Sequence, residues 1–524
     1  MAGQYLIGVD LGTSVVKAGL YDAEGGLVAQ AARPAPLRQP AAGIAEQDGE
    51  EFVAAAAAAM REVMSRAGGP AAAQVAGVAF AGQMGGAMAV DRRFRALTPW
   101  YPSGLDGRYL PHQQELAERA GPRLIELCGD LPIMAPRMLW WRRESPERYR
   151  RIAKVVTLAG YVAGRMAGLQ ADRAFVDPSY LTWVGLGDTA RHRWSEELAE
   201  VTGLGGGGLA RMPRIVPATE VVGHLAREAA TACGLAEGIP VAAGAGDQPA
   251  GFVGAGLVDD GQLIDVAGTF PVFGVCSGRY FADHDSRMLK PIASPLGAGA
   301  WYSMMYINGG GLTHRWFAEQ FGLPASDADA AAGGAAFAEL DAAAGQVAPG
   351  SDGLFCVPHL MGRACPNEPE VRGAWVGFTW THGQAHFYRA LLESVAYEYA
   401  LACRALRAAA PEAVLGEVRV IGGGAASDLW NRIKAAVLGL PYVRLALPDA
   451  ATLGSAIVAG HAAGLIPDMA AAARRVARPG ARYLPDANAH RRYRACVDAY
   501  CAVLREFGGA YAALADLRAH GSDS

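Results

Sequence analysis

Apolar positions along the chain fall into two kinds of pattern. Residues 5–10, 15–21 and 27–32 are short apolar runs separated by Leu11-Gly12-Thr13-Ser14 and Asp22-Ala23-Glu24-Gly25-Gly26. Runs this short, divided by small and acidic turn residues, predict a three-strand meander. A proline-rich connector at 33–40 follows, then an alanine-rich helix over 49–67. Residues 75–81 and 87–90 read as buried strands, and 111–169 as mostly helical.

The second half repeats this layout. An apolar strand at 239–245 runs into Gly246-Asp247. Strands at 262–267 and 272–277 then flank the turn Gly268-Thr269. The strand and Gly-Thr pair of the opening meander recur here 256 residues later, which predicts two related domains. Helical pattern covers 309–344, its later part alanine-rich and peripheral, and a long helix is predicted over 386–408, with Thr381 as its N-cap. A strand at 418–421 enters Gly422-Gly423-Gly424. Helices at 428–438 and 454–463 follow, and the last is predicted at 489–507. Strands alternating with helices across glycine turns define an α/β chain.

Composition narrows the class. A length of 524 residues corresponds to two large domains or three ordinary ones. The 52% hydrophobic and 19% charged fractions supply sizeable cores and exclude intrinsic disorder. Glycine, at 67 residues, is nearly double the usual ~7%, as many tight turns or close backbone approaches require. The net charge of −4 offers no field for nucleic acid or an anionic membrane. No apolar run approaches the ~20 residues of a spanning helix. The start lacks a secretion signal, and eight scattered cysteines form no CxxC pair; both lead us to expect a cytoplasmic protein with reduced thiols and no zinc site.

Three glycine-rich turns could carry chemistry. Asp10-Leu11-Gly12-Thr13-Ser14, with Lys17 beyond, sets a carboxylate before small residues whose amides and hydroxyls can cradle phosphate. The carboxylate suits a hydrated Mg2+, though an ordinary hairpin turn has the same composition. Gly244-Ala245-Gly246-Asp247-Gln248-Pro249 places one acid after a buried strand, where it could take a proton from an attacking hydroxyl. Asp247 could equally be a helix N-cap with Pro249 in the first turn. Gly422-Gly423-Gly424-Ala425-Ala426-Ser427-Asp428 forms a loop over which a flat ring could lie, or a connection capped by Ser427 or Asp428. No GxxxxGK[ST] occurs, and Pro249 breaks a G-x-G-x-x-G reading.

Gln83-Met84, Trp100 and Asp106-Gly107-Arg108 offer an amide, a soft apolar group, a stacking face and a charged pair to a hydroxyl-rich ligand. Each is also an ordinary core residue or surface ion pair. His382 and His386 are four apart, but no acid or cysteine supports them as metal ligands. Cys496 and Cys501 read as helix packing residues.

Taken in order, these segments resemble the FGGY carbohydrate kinases, most closely the xylulokinase-like branch. The resemblance runs from Tyr5 to about Ala463. Besides the three turns it includes Ala135-Pro136-Arg137-Met138-Leu139-Trp140, Val357-Pro358-His359-Leu360-Met361-Gly362 and Leu453-Gly454-Ser455-Ala456. It implies two actin-like (ribonuclease H-like) ATPase domains with an interdomain cleft: residues 1–246 on the sugar and phosphate side, 247–480 on the nucleotide side, and a helical tail at 481–524. It implies Asp247 as general base. Asp10, Gly12, Thr13, Ser14, Lys17, Gly268, Thr269, Gly310, Gly423, Gly424, Ala425 and Ser427 would surround the nucleotide and its phosphates. Gln83, Met84, Trp100, Asp106, Arg108 and Gln248 would face the sugar. Asp10 and Asp247 would act on Mg2+ through water. The expected cofactors are ATP and Mg2+, and a homodimer is a family-level expectation.

Three departures bear on the substrate. Xylulokinases typically carry Met-His where this chain has Met84-Gly85, Gly-Glu-Arg where it has Gly362-Arg363-Ala364, and lysine where it has Arg137. Losing an imidazole removes a hydrogen-bond partner beside the sugar. The expected activity is transfer of the ATP γ-phosphate to a primary hydroxyl of a small ketose, with a pentulose such as xylulose favoured. A tetrulose, heptulose, sugar alcohol or glycerol is the alternative. A chaperone-like actin-fold ATPase should carry a separate peptide-binding domain. A sugar-responsive regulator should carry a helix-turn-helix before the first strand, where only four residues precede Tyr5.

Overall fold

The structure, a computed structural model, describes residues 4–41, 43–68, 74–321 and 334–521. The predicted helical stretch at 309–344 therefore falls partly outside the described residues. Its described parts are the helices Gly310–Phe321 and Gly334–Ala344.

The opening meander forms as the pattern predicts. Tyr5–Leu11 pairs antiparallel with Val15–Asp22, which pairs antiparallel with Leu27–Pro34. On its other side Tyr5–Leu11 pairs parallel with Val75–Gly82. Side chains alternate along a strand, and here alternation separates two roles. Ile7, Val9 and Leu11 enter the core beneath the helix Gly49–Ala67. Leu6, Gly8 and Asp10 share the opposite face.

The repeat in the sequence is a repeat in topology. In the second half Leu263–Val266 is the counterpart of Tyr5–Leu11. It pairs antiparallel with Val272–Ser277 and parallel with Val418–Ile421. Each sheet extends in the same senses on both sides. Trp301–Tyr306 joins antiparallel where Leu27–Pro34 does, and Tyr442–Leu445 joins parallel where Pro240–Ala242 does. Antiparallel edge strands, Val221–His224 and Pro479–Tyr483, complete the match.

Some boundaries differ from the pattern. The strand expected at 239–245 breaks into Pro240–Ala242 and Ala245–Gly246, because Gly244 turns the chain at φ +71°. The 111–169 region includes a short strand, Lys154–Val156, paired with Met88–Val90. Thr381 is not the N-cap of the long helix. That helix is Gln384–Ala409, and Gly383 precedes it, so His382 lies outside. The chain does not end its helices near 507, since Gly508–Gly521 follows Ala487–Glu506. Cys496 and Cys501 do pack against the core of the second half.

Two helices join the halves by exchange. Ala450–Ala462 comes from the second half of the chain but packs on Tyr5–Leu11 and Val75–Gly82 of the first sheet. Asp247–Gly254 directly follows the first sheet but sends Phe252 into the second, against Tyr302, Ile264 and Met304. The two helices lie backbone to backbone. A Cβ on Gly254 would sit 1.9 Å from the Ala450 carbonyl oxygen, and one on Gly454 would sit 1.8 Å from that of Ala250. Gly8 is under the same constraint, 1.8 Å from the Thr452 carbonyl oxygen. On the far side a latch connects the halves. Lys290 Nζ donates to Asp130 at 2.8 Å, and the Thr182 hydroxyl donates to the Pro291 carbonyl.

Gly454→Ala must push two helices apart, and we expect a loss of about 3 kcal/mol in denaturant unfolding. Gly206→Ala meets nothing within 4 Å and should stabilise by about 0.5–1 kcal/mol. A Gly454→Ala protein as stable as the parent would contradict this packing.

Candidate active site

A cleft of about 630 Å³ opens between the two sheets. From the first sheet it is lined by Asp10 and Lys17, and from the exchanged helix by Asp247 and Gln248. Gly423, Ala425 and Ala426 line it from the second half, together with Arg444 and Asp449. Its floor is set by register. Asp10 lies directly opposite Lys17 across the antiparallel pair, so both point the same way.

Three carboxylates and one ammonium dominate its electrostatics. Burial first, then Asp449 and Asp247, hold Asp10 well above the usual carboxylate range, against the pull of Lys17. Asp10 Oδ1 is buried without a hydrogen-bond partner. Burial also pushes Asp247 up to about 6, while the Gln248 amide, donating to its Oδ1 at 2.7 Å, works the other way. Burial opposes the charge on Lys17, but Asp449, accepting from it at 2.8 Å, outweighs that and raises it. An orphaned buried oxygen among mutually repelling carboxylates suits a dication. Among the described residues no group of three His, Cys, Asp or Glu side chains is placed to chelate one directly, so Asp10 and Asp247 fit a hydrated ion rather than a bare one.

Asp247 is not a helix cap. Gly246 is the N-cap residue, and Asp247 is the first residue of the helix. Ser427 is a cap. Its Oγ accepts from the Trp430 amide at 3.0 Å and donates to Asp341 at 2.6 Å. The amides of Gly12, Gly268 and Gly424 are engaged within the protein, with Val15, Val266 and Ala267 carbonyls. Thr13 and Gly268 are half-buried, while Ser14 and Thr269 are exposed. Gly310 opens a helix whose first turn presses on that loop, since a Cβ on Gly311 would lie 2.3 Å from the Gly268 carbonyl oxygen.

The sugar-side candidates form two connected groups. Trp100, with no exposed surface, offers no open stacking face. Its Nε1 donates to Gln83 Oε1 at 3.2 Å, and Gln83 donates to Gln47 at 3.0 Å. Gln47 in turn donates to the Thr13 carbonyl at 2.8 Å, so the relay ends in the glycine turn beside Asp10. Asp106, 1% exposed, accepts from Arg137 at 2.8 Å and from Arg108 at 2.8 Å. Arg108 also pairs with Glu46 and stacks over Tyr101 and Trp140. Burial pulls Arg108 down, but Asp106 and Glu46 more than restore it. Met84 lies over Gly246, where a Cβ would meet its sulfur at 2.5 Å. Gly85 has φ +75°, and a Cβ there would lie 2.6 Å from Ser103 Oγ.

Sequence reasoning passed over Gln47, Asp449 and Arg444. Asp449 carries a signal, an acid three residues before Thr452, whose amide it caps at 2.9 Å. Its second role, holding Lys17, depends on a contact 432 residues away in the chain.

Paired actin-like sheets around a cleft with buried carboxylates and a glycine loop define a phosphotransferase acting on a sugar hydroxyl. The chain belongs to the FGGY family of carbohydrate kinases, matching its N-terminal domain over residues 5–254 and its C-terminal domain over 266–463. It is 32% identical over 447 residues to a xylulose kinase of Escherichia coli (strain K12), covering 83% of this chain and 84% of that one. It is 25% identical over 520 residues to a gluconokinase of Bacillus subtilis (strain 168), covering 98% of each. The crystal structure of a xylulose kinase from Rhodospirillum rubrum shares the fold, with a TM-score of 0.82 at 24% identity over 97% of this chain and 100% of that one.

Gln47→Leu leaves the Gln83 amide and the Thr13 carbonyl without a partner. We expect a loss of about 1–3 kcal/mol in denaturant unfolding. Unchanged stability would show that these groups find other partners.

Proposed function

We propose that the protein transfers the γ-phosphoryl group of ATP to a primary hydroxyl of a small neutral ketose, a pentulose such as xylulose being favoured. The observation that carries this reading is the meeting of Asp247, Asp10 and the Gly423–Ala426 turn in one cleft. Asp247 accepts the hydroxyl proton, the sugar oxygen bonds to the γ-phosphorus, and the bond to the β–γ bridging oxygen breaks to leave ADP. Asp10 and Asp247 would hold Mg2+ through water, and the ion would neutralise charge on the phosphates. Lys17 supplies a fixed positive charge on the same face. Closure of the cleft over the substrates would exclude water from the reacting groups.

Charge balance supports a neutral acceptor. Asp106 and Glu46 are matched by Arg137 and Arg108, so the sugar wall has no surplus cation for a carboxylate such as that of gluconate. Ser103 and Ile133 fill the space a side chain at position 85 would use, which supports a pocket shaped without the imidazole expected of xylulokinases. All eight cysteines are free thiols. Among the described residues no helix is long and apolar enough to cross a membrane.

The test is ADP release with MgATP across ketoses, polyols and gluconate. Xylulose should exceed gluconate by at least about 100-fold in kcat/KM; the reverse order would overturn the neutral-acceptor reading. Asp247→Ala should lower kcat by about 1,000-fold or more, and a fully active variant would remove Asp247 as the base. Because the base works only when ionised, the rate should fall below pH 6, about tenfold per unit. A rate flat down to pH 5 would contradict a base held near 6.

A further inference from the structure

The turn Pro178–Trp183 carries none of the residues that face the substrates, yet it grips the backbone that presents Asp247. Asp177, just before it, is buried and accepts from the Ser179 hydroxyl at 2.5 Å and from the Ser179 amide at 3.2 Å. The Ser179 hydroxyl has one proton, and it goes to Asp177. Toward Gly246 the oxygen can therefore only accept, and it does so from the Gly246 amide at 2.9 Å. The next side chain, Tyr180, lies 3.0 Å from the Gly82 carbonyl and 3.1 Å from the Ala245 carbonyl. Gly82 precedes Gln83, and Ala245 is two residues before Asp247. Gly246 is held from its other side by Met84. Its dihedral angles set where the helix begins and so where the Asp247 carboxylate projects.

We propose that Ser179, oriented by Asp177, is a positioning residue for Asp247, fixing the Gly246 amide so that the carboxylate meets the sugar hydroxyl. This rests on the reading of Asp247 as the base. Misplacing a base by a fraction of an ångström lowers the rate of the chemical step while leaving ground-state binding intact. Because Asp177 acts through Ser179, the two substitutions should not add.

The experiment is steady-state kinetics on the full-length protein with MgATP and D-xylulose, or the panel sugar that outruns it. Ser179→Ala should lower kcat at least tenfold, with KM for both substrates within twofold of the parent. Asp177→Asn should lower kcat similarly in the parent but less than twofold further in the Ser179→Ala background. Ser179→Cys keeps the shape with a weaker acceptor, should fold wherever Ser179→Ala does not, and should fall between parent and alanine. Thr202→Val removes a buried hydroxyl that bonds only within its own helix end. It should lower the melting temperature with kcat within twofold. The proposal is overturned if Ser179→Ala and Ser179→Cys keep parental kcat, if KM rises in step with the loss of kcat, or if the Asp177 and Ser179 effects multiply. Asp247→Ala separates the two readings. An inactive Asp247→Ala beside a fully active Ser179→Ala overturns the positioning role alone, whereas an active Asp247→Ala removes the base on which that role depends.

Discussion

The contact of Asp247–Gly254 with Ala450–Ala462 is the constraint that organises the molecule. Helices with side chains at their crossing keep their axes 8–10 Å apart. Here glycines at 254 and 454 remove the side chains, and carbonyl oxygens occupy the space that two Cβ atoms would need. Gly8 admits the same helix to the first sheet. Asp10, two residues along the same face, is thereby brought under the N-terminus of Ala450–Ala462, beside Asp449. Asp247 starts the partner helix. One close crossing thus determines the spacing of all three carboxylates.

That spacing sets like charges against one another. Asp10 is raised by burial and by its two acidic neighbours, and Lys17 offsets only part of this. Active sites commonly store such strain, because the species that relieves it is the one to be bound. The groups around Asp106 and Gln83 are built on the opposite plan: the ions pair off, the amides relay to the Thr13 carbonyl, and Trp100 is enclosed. Their ions cancel, whereas the cleft beside them is rich in charge.

Much of this was legible in the sequence, and what was not has a physical reason. The repeat of strand, Gly-Thr turn and strand predicted two sheets of one topology, because local pattern records strands and turns directly. The helix at 49–67 was legible from its alanine-rich run, and that at 428–438 from the cap residues that precede it. Asp10, Lys17, Asp247, Gln248, Gly423 and Ala425 do line one cleft. Trp100 has the composition of a stacking face but is enclosed and donates to Gln83, since exposure is a tertiary property. Thr381 has the composition of a cap, but Gly383 supplies the extended backbone from which the helix starts. Gln47 and Asp449 escaped notice because their roles rest on partners that only the fold brings near.

The helix exchange also sets the order in which the protein can be completed. Chains emerge from the ribosome N-terminus first, and domains generally fold as units in that order. The first sheet is synthesised early, but one face, carrying Leu6, Tyr21 and Ala79, is covered by Leu453, Ala456 and Ile457. Until residue 462 has emerged, that face has only part of its cover, from Val253 and the residues around Ala242. The half of the chain made first therefore waits for a helix of the second half before both faces of its sheet are covered.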